Sequence, residues 1–164
     1  MKVLAAMAGV ILLALAPLAA AQQKAAQPLE TRIEQRKVAR AADGAESLVS
    51  AEAVKPGDVI EYAVTYRNTG KPALTKLEAT LPIPAETEYV PGSARPANAK
   101  ASTDGRAFSD LPLKRTVKRN GVEVEETVPV GEYRFLRWYP GDLAGEKAVT
   151  YTARVRVTDI RTSK

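Results

Sequence analysis

The sequence predicts an all-β protein built as an antiparallel β-sandwich of about seven to nine strands. Apolar and polar residues alternate with period two in short segments, most clearly in Val59–Arg67 and Ala148–Thr158. Pro-Gly, Asp-Gly and Asn-Gly pairs separate these segments at short intervals, which is typical of tight turns. No segment after residue 28 has the sustained 3.6-residue period of an amphipathic helix, so strands are expected throughout the domain.

Residues 1–21 have the pattern of a secretory signal peptide. Lys2 precedes a long apolar run, and the small residues Ala19 and Ala21 stand where a signal peptidase would cut. An uncleaved membrane anchor is the alternative, because the run just reaches spanning length. Pro17 and the small-residue ending favour cleavage after Ala21. We therefore expect a periplasmic or secreted protein with no membrane span once the signal is removed.

Composition limits what the rest of the chain does. Residues 22–28 are polar and Ala-rich, as in a flexible lead, and residues 29–164 have the length of a single domain. The chain has no cysteine, which excludes a disulfide and a lipid-modified cysteine. Its 24 basic and 19 acidic residues give a net charge of +5 without a long single-sign block, so nucleic acid is not an expected partner.

The first half of the domain reads as strands between turns. A first strand is expected from Leu29 to Val38, although Glu34–Arg40 alone could also form a helical turn. The segment from Lys55 to Gly70 contains the clearest strand, with Ile60, Tyr62, Val64 and Tyr66 on its apolar face, and Tyr62 is expected to be a core residue. Further strands are predicted at Ser47–Val54, Leu74–Leu81, Thr87–Val90 and Ala148–Thr158. Ser93–Asp110 is expected to be mostly loop, with one edge strand near Ala99–Thr103.

Asn120-Gly121 is the strongest hairpin signal in the chain, because a type I′ turn needs positive φ at both central residues. A two-residue loop fixes the register of the hairpin Leu113–Val128. It sets opposite each other Val117 and Val124, Lys118 and Glu123, and Arg115 and Glu126. Both charged pairs are complementary, which accounts for the basic residues without an anionic ligand.

The segment Tyr133–Tyr139 is apolar on both faces, and a sandwich core covers only one of them. We assign Leu136 and Trp138 to the core, since a lone tryptophan is most often buried. The other face carries the aromatic stripe, which consists of Tyr133, Phe135, Arg137 and Tyr139. Either the hairpin Leu113–Val128 covers this stripe, or the stripe contacts a partner or a glycan. Pro140-Gly141-Asp142 is expected to end the strand in a turn.

Several of these motifs together resemble a known family. They are Pro56–Tyr62, Tyr66–Gly70, Leu81-Pro82, Tyr89–Ser93 and the lone Trp138. In this order they are similar to the Ig-like conserved-repeat domain of unknown function eleven, found in bacterial and archaeal surface and secreted proteins, often as tandem repeats. The resemblance implies an Ig-like sandwich. Ala79 departs from it, because the family often has aspartate there, and the single copy excludes an array of repeats within this chain.

The residue types present argue against catalysis. The chain has neither histidine nor cysteine, so the usual nucleophile arrangements and zinc or copper sites lack their ligands. Asp104-Gly105 and Asp110 could hold calcium, but without a ladder of ligands an Asp-Gly turn is favoured. We expect no enzyme, no metal and no cofactor. The expected role is structural, adhesive or protein-binding, with another envelope or surface protein as partner. The alternative is a small carbohydrate- or ligand-binding module that uses the aromatic stripe.

Overall fold

The computed structural model describes residues 28–159, in which eleven strands and one short 3-10 helix form three antiparallel sheets. The predicted all-β sandwich is confirmed. The expected signal peptide, residues 1–21, and all but the last residue of the expected lead, residues 22–28, lie outside the described range. Within that range no helix is long and apolar enough to cross a membrane.

The elements follow the chain from Leu29 to Val157. The strands are β1 (Leu29–Arg40), β2 (Glu46–Ser50), β3 (Val59–Asn68), β4 (Leu74–Pro82), β5 (Thr87–Tyr89), β6 (Lys100–Ser102), β7 (Ser109–Asp110), β8 (Lys114–Arg119), β9 (Val122–Thr127), β10 (Phe135–Leu143) and β11 (Ala148–Val157), and the 3-10 helix is Val130–Glu132.

Two sheets face each other and the third stands apart. The first sheet has the strand order β2-β1-β3-β11-β5 and the second has the order β4-β10-β6-β7. The third consists of β8 and β9 alone, joined by a two-residue turn, and is here named the arm. The sandwich thus has nine strands. With the two strands of the arm the total is eleven, which exceeds the predicted seven to nine.

The core lies between the two large sheets around Trp138. Trp138 is 1% exposed, its ring stacks on Tyr151 at a centroid distance of 5.0 Å, and its Nε1 donates to the carbonyl of Pro96 at 2.8 Å. The Tyr66 hydroxyl joins the sheets, since it donates to the carbonyl of Thr80 and accepts from its N–H. The assignment of Trp138 and of the fully buried Leu136 to the core is confirmed.

Tyr62 is only half-buried, so its assignment to the core was too strong. Its neighbours on β1 explain this. Gln35 lies opposite Tyr62, and Ile33 lies opposite the fully buried Val64, yet Ile33 is 50% exposed. Because paired residues share a face, β1 and β2 extend the first sheet beyond the cover of the second. The apolar face of the first sheet is therefore covered next to β11 and left open next to β1.

Two polar residues hold the ends of β3. At its start Gly57 has φ +91°, and the Asp58 carboxylate accepts from the Lys55 N–H at 3.0 Å and from the Lys37 ammonium at 2.7 Å. The hydrogen bond from Lys37, followed by that from the Lys55 N–H, lowers the pKa of Asp58. At its end Asn68 is fully buried, donates to the carbonyls of Pro72 and Leu143, and accepts from the N–H of Gly70. The Pro-Gly-Asp and Asn-Thr-Gly motifs thus fix the length of the central strand.

Pro140-Gly141-Asp142 does not end its strand, contrary to prediction. Gly141 has φ +80°, as a turn would require, but lies within β10 opposite Leu77 at an irregularity of the ladder. Lys76, on the paired strand, also has positive φ, at +56°. Residues of this kind usually form a tight turn. At this position they form a β-bulge, because β4 continues to pair alongside.

Other local predictions differ in extent. Glu34–Arg40 belongs to β1 and is a strand, not a helical turn. The second strand ends at Ser50, four residues before the expected Val54. The strand expected near Ala99–Thr103 is β6, but it lies between β10 and β7 and is not an edge strand. The edge is β7, whose two residues carry no pattern from which a strand could be recognised.

The arm has the predicted turn and register. Asn120 and Gly121 both have positive φ, at +52° and +81°, as a type I′ turn requires. The three predicted pairs lie opposite each other, namely Val117 with Val124, Lys118 with Glu123 and Arg115 with Glu126. Three ion pairs of 2.6 to 2.8 Å link its strands, and these are Lys114–Glu125, Arg115–Glu126 and Arg119–Glu126.

Candidate functional site

Tyr133 does not lie on the predicted aromatic stripe. It follows the 3-10 helix instead of standing in the strand, and only 1% of it is exposed. Its ring stacks on Tyr89 at a centroid distance of 6.1 Å, and its hydroxyl accepts from the N–H of Leu113 at 2.9 Å. Alternation predicted the wrong face because β10 begins at Phe135, and residues before that point do not follow its pleat.

Phe135 and Arg137 face outward but are covered by the loop between β6 and β7. A β-carbon at Gly105 would lie 3.0 Å from the Phe135 ring, so this loop packs directly on the ring. The Arg137 guanidinium lies 3.8 Å from the centre of the Phe108 ring and donates to Glu78 at 2.8 Å. The hairpin Leu113–Val128 contacts the predicted stripe at Tyr133, through the N–H of Leu113, and Arg115 pairs with Glu132 at 2.7 Å. The cover of Phe135 and Arg137 comes from the loop between β6 and β7 instead.

Tyr139 is the one member of the predicted stripe that is open to solvent, with 48% of its surface exposed. The four predicted residues therefore do not form one continuous contact surface. Tyr133 is interior, Phe135 and Arg137 are partly covered, and Tyr139 stands alone. A single tyrosine is a small platform for a partner or a glycan.

A more enclosed apolar surface lies between β5, the residues that follow β7, and the 3-10 helix. It is a pocket of about 400 Å³ that has the stacked rings of Tyr89 and Tyr133 in its wall. Its other lining residues are small or apolar, namely Pro91, Gly92, Ala94, Ala97, Leu111, Pro112 and Val130. Pockets of roughly this size bind small ligands or an inserted side chain.

The pocket offers few polar groups to a ligand. Its only ionisable side chains are the two tyrosines, and both hydroxyls accept backbone hydrogen bonds, from Ala94 to Tyr89 at 3.3 Å and from Leu113 to Tyr133 at 2.9 Å. The lining contains no aspartate, glutamate, lysine or arginine. The arrangement therefore suits an apolar group, whose transfer from water needs no polar partner.

A polar hollow adjoins the pocket and shares Pro91 and Gly92 with it. Its main charge, Arg154, donates to Glu46 at 2.7 Å and to Glu61 at 2.9 Å. These two hydrogen bonds raise the pKa of Arg154, and those from Arg40 and then Arg154 lower the pKa of Glu46. Arg154 is thus compensated by two glutamates. Arg95 also lines the hollow and donates to the carbonyls of Gly92 and Ala94, so the hollow has mixed charge.

The possible calcium ligands have a structural role. One oxygen of Asp104 accepts from the Ser102 hydroxyl at 3.0 Å and from the N–H of Arg106 at 2.8 Å, as an Asp-Gly turn requires. The backbone hydrogen bond from Arg106 is the main reason that the pKa of Asp104 is lowered. Asp110 pairs with Lys100 at 3.1 Å. Across residues 28–159 no three acidic side chains come together as a metal site would require.

Sequence reasoning missed the pocket because three separate segments form it, 89–97, 111–112 and 130–133. Each contains proline or small residues that serve equally well as turn signals. Only their assembly by the fold creates an apolar concavity.

Comparison with known proteins provides no relative: no family model matches the chain, and no curated protein or solved structure is significantly similar to it. The resemblance to the Ig-like conserved-repeat domain stays a prediction from its motifs.

Proposed function

We propose that this protein is a non-catalytic, exported Ig-like module with a structural or adhesive role in the cell envelope. It would act by binding another envelope protein, which inserts a large apolar side chain into the pocket between Tyr89 and Tyr133. The observation that carries the proposal is the apolar lining of this pocket, which contains no Asp, Glu, Lys or Arg, and whose two tyrosine hydroxyls each accept a backbone hydrogen bond. Apolar anchors in such pockets supply most of the binding energy in many protein interfaces.

Two sequence features support a binding role. The chain has no histidine and no cysteine, so the usual Ser/His/Asp and Cys/His nucleophile arrangements cannot be built. The segment 1–21 has a signal-peptide pattern, which directs the module to the envelope or beyond. Together these two features favour an exported domain that acts by binding.

Site-specific photo-cross-linking in intact cells tests this proposal. A photoreactive residue replaces Ala97, which lines the pocket and is exposed, and in a parallel variant it replaces Thr75, which is exposed on β4. We expect one discrete protein adduct from position 97 and none from position 75. Val130→Arg, which places a charge in the pocket wall, should abolish the adduct, whereas Val54→Arg on an exposed loop should not. Absence of an adduct at position 97, or its persistence with Val130→Arg, would contradict the proposal.

The alternative function is a small carbohydrate- or ligand-binding module. The exposed ring of Tyr139 favours it, because sugar rings stack on exposed aromatic surfaces. Glycan binding by the purified protein that is lost in Tyr139→Ser, with Val130→Arg unaffected, would select this alternative over protein binding.

A further inference from the structure

The arm is largely exposed, and an ion pair of 2.7 Å between Arg115 and Glu132 links its base to the 3-10 helix. Of its twelve strand residues only Val117 and Glu126 are partly covered, and all others are exposed. Val122 is 62% exposed and Val124 is 41% exposed. These three valines share one face, since Val117 lies opposite Val124 and Arg119 lies opposite Val122. The same face carries Arg115, Arg119 and Glu126, so the valines lie beside charged side chains. A two-stranded ribbon is marginally stable in water, which makes a further strand favourable.

Both outer edges of the arm are free to accept a strand. Within residues 28–159, β8 pairs only with β9. At its base the N–H of Val128 donates to the carbonyl of Leu113 at 2.9 Å. Hydrogen-bonded and non-hydrogen-bonded pairs alternate along an antiparallel ladder, so every second residue from this pair points its N–H and C=O outward. These outward residues are Lys114, Thr116 and Lys118 on β8, and Glu123, Glu125 and Thr127 on β9.

The two edges are opposite in charge. The outward positions of β8 carry two lysines and one threonine, and those of β9 carry two glutamates and one threonine. Charged side chains normally keep a free edge from pairing with the same edge of another copy. That protection holds here for β8 against β8 and for β9 against β9. It fails for β8 against β9, where lysines would meet glutamates.

Lys118 and Glu123 have unused charge for such a contact. They lie opposite each other in the arm, yet neither takes part in an ion pair among residues 28–159. A neighbouring strand would place a partner of opposite sign on the other side of each. The exposed Val122 and Val124 would then continue the apolar face across the contact.

From these observations we propose that the arm joins copies of this chain head to tail, with the β8 edge of one copy paired antiparallel to the β9 edge of the next. A contact between two different surfaces leaves one free edge of each kind at the ends of the assembly. The assembly is therefore open-ended and grows with protein concentration. It also weakens as salt screens the lysine–glutamate contacts. This inference is independent of the pocket and its partner.

Proline variants test the head-to-tail geometry. Thr116→Pro removes an outward N–H from β8, and Thr127→Pro removes one from β9, while the internal ladder uses the other residues. By sedimentation velocity at low salt, the wild type should grow in mass with concentration. Each variant alone should stay monomeric, because one of its two edges is blocked. An equimolar mixture of the two should form a dimer and nothing larger, because one open edge of each kind remains.

Neutralising variants keep the test decisive should proline unfold the arm. Lys118→Gln with Glu123→Gln removes two charges that have no ion pair within the copy, and should reduce the association constant several-fold and flatten its salt dependence. The matched control is Glu146→Gln with Lys147→Gln, two exposed residues outside the arm, which should associate like the wild type. A wild type that is monomeric at every concentration and salt level would overturn the proposal. The proposal would also be overturned if the equimolar mixture of proline variants stayed monomeric while amide exchange showed both arms to be intact. It would equally be overturned if the control associated as weakly as the arm variant.

Discussion

The sandwich around Trp138 and the arm beyond Leu113 have the same local structure but differ in how much of it is buried. Both consist of antiparallel strands with alternating side chains and a turn that contains glycine. In the sandwich the apolar face meets a second sheet, so Trp138 is 1% exposed, whereas in the arm nothing covers Val122, which is 62% exposed. Local alternation thus determines which residues share a face, and the tertiary structure determines whether that face is covered.

The largest expected effect is that of truncating Trp138, the largest fully buried side chain. Trp138→Ala removes the stacking on Tyr151, the hydrogen bond to Pro96 and a large buried apolar area, and should lower the free energy of unfolding by about 3 to 5 kcal/mol. Urea denaturation measures it. Tyr139→Ala is the control, because Tyr139 is half-exposed and its truncation should lower the free energy of unfolding much less. Equal losses at positions 138 and 139 would mean that the face assignment is wrong.

Acid should affect the sandwich through Asp58. Its pKa is lowered in the folded protein, so the folded state binds its proton less readily than the unfolded chain. The resulting stabilisation is present above the ordinary pKa of 3.8 and is lost as the pH falls through the lower folded value. Wild-type stability, measured in urea at a series of pH values, should therefore fall below about pH 4 more steeply than that of Asp58→Asn.

A variant of Lys37, which pairs with Asp58, tests the cause of the lowered pKa. Lys37 supplies the main cause of the lowered pKa, so Lys37→Gln should flatten the same part of the profile, and the double variant should add little to either single change. Parallel slopes in wild type and Asp58→Asn would exclude Asp58 from the acid response.

In the arm, hydrogen bonds from Arg115 and Arg119 lower the pKa of Glu126. Protonation of Glu126 should loosen the arm without unfolding the sandwich, and amide exchange would distinguish the two.

The smallest expected effect is that of removing the arm altogether. Leu113 and Val128 already form a hydrogen-bonded pair at 2.9 Å, and both are buried. Replacing residues 114–127 by Asn-Gly closes this pair with a type I′ turn. The deleted residues are almost all exposed, and so is the ion pair Arg115–Glu132 that the deletion removes, so the unfolding free energy should change by less than about 1 kcal/mol. A loss of several kcal/mol in thermal or urea unfolding would show that the arm supports the sandwich.

Much of the fold could be predicted from residue pattern. Asn120-Gly121 specifies a turn that only one register satisfies, and Trp138 is correctly assigned because large lone aromatics are seldom left in water. These predictions depend on contacts within a strand or across one turn. The predicted stripe depended on what covers the other face, and that cover comes from the loop around Gly105, thirty residues before Phe135.

Other features have no local signal at all. Gly141 has the positive φ of a turn, and only the presence of β4 alongside makes it part of a bulge. The pocket combines three distant segments, so neither its volume nor its apolar lining can be inferred from any one of them. The candidate site therefore came from the structure, while the strands around it came from the sequence.

The paired irregularities of β4 and β10 link the lengths of these two strands. Leu74–Ala79 lies opposite Trp138–Leu143. From Trp138 to Gly141, β10 has one residue more than β4, and from Leu74 to Leu77, β4 has one residue more than β10. The two extra residues cancel, so the register beyond them is restored. Loss of one residue near Gly141 would shift the rest of the pairing unless a residue near Lys76 were lost as well. In homologous chains, gaps at these two places should therefore occur together, which would mark the two segments as partners in an alignment even without a structure.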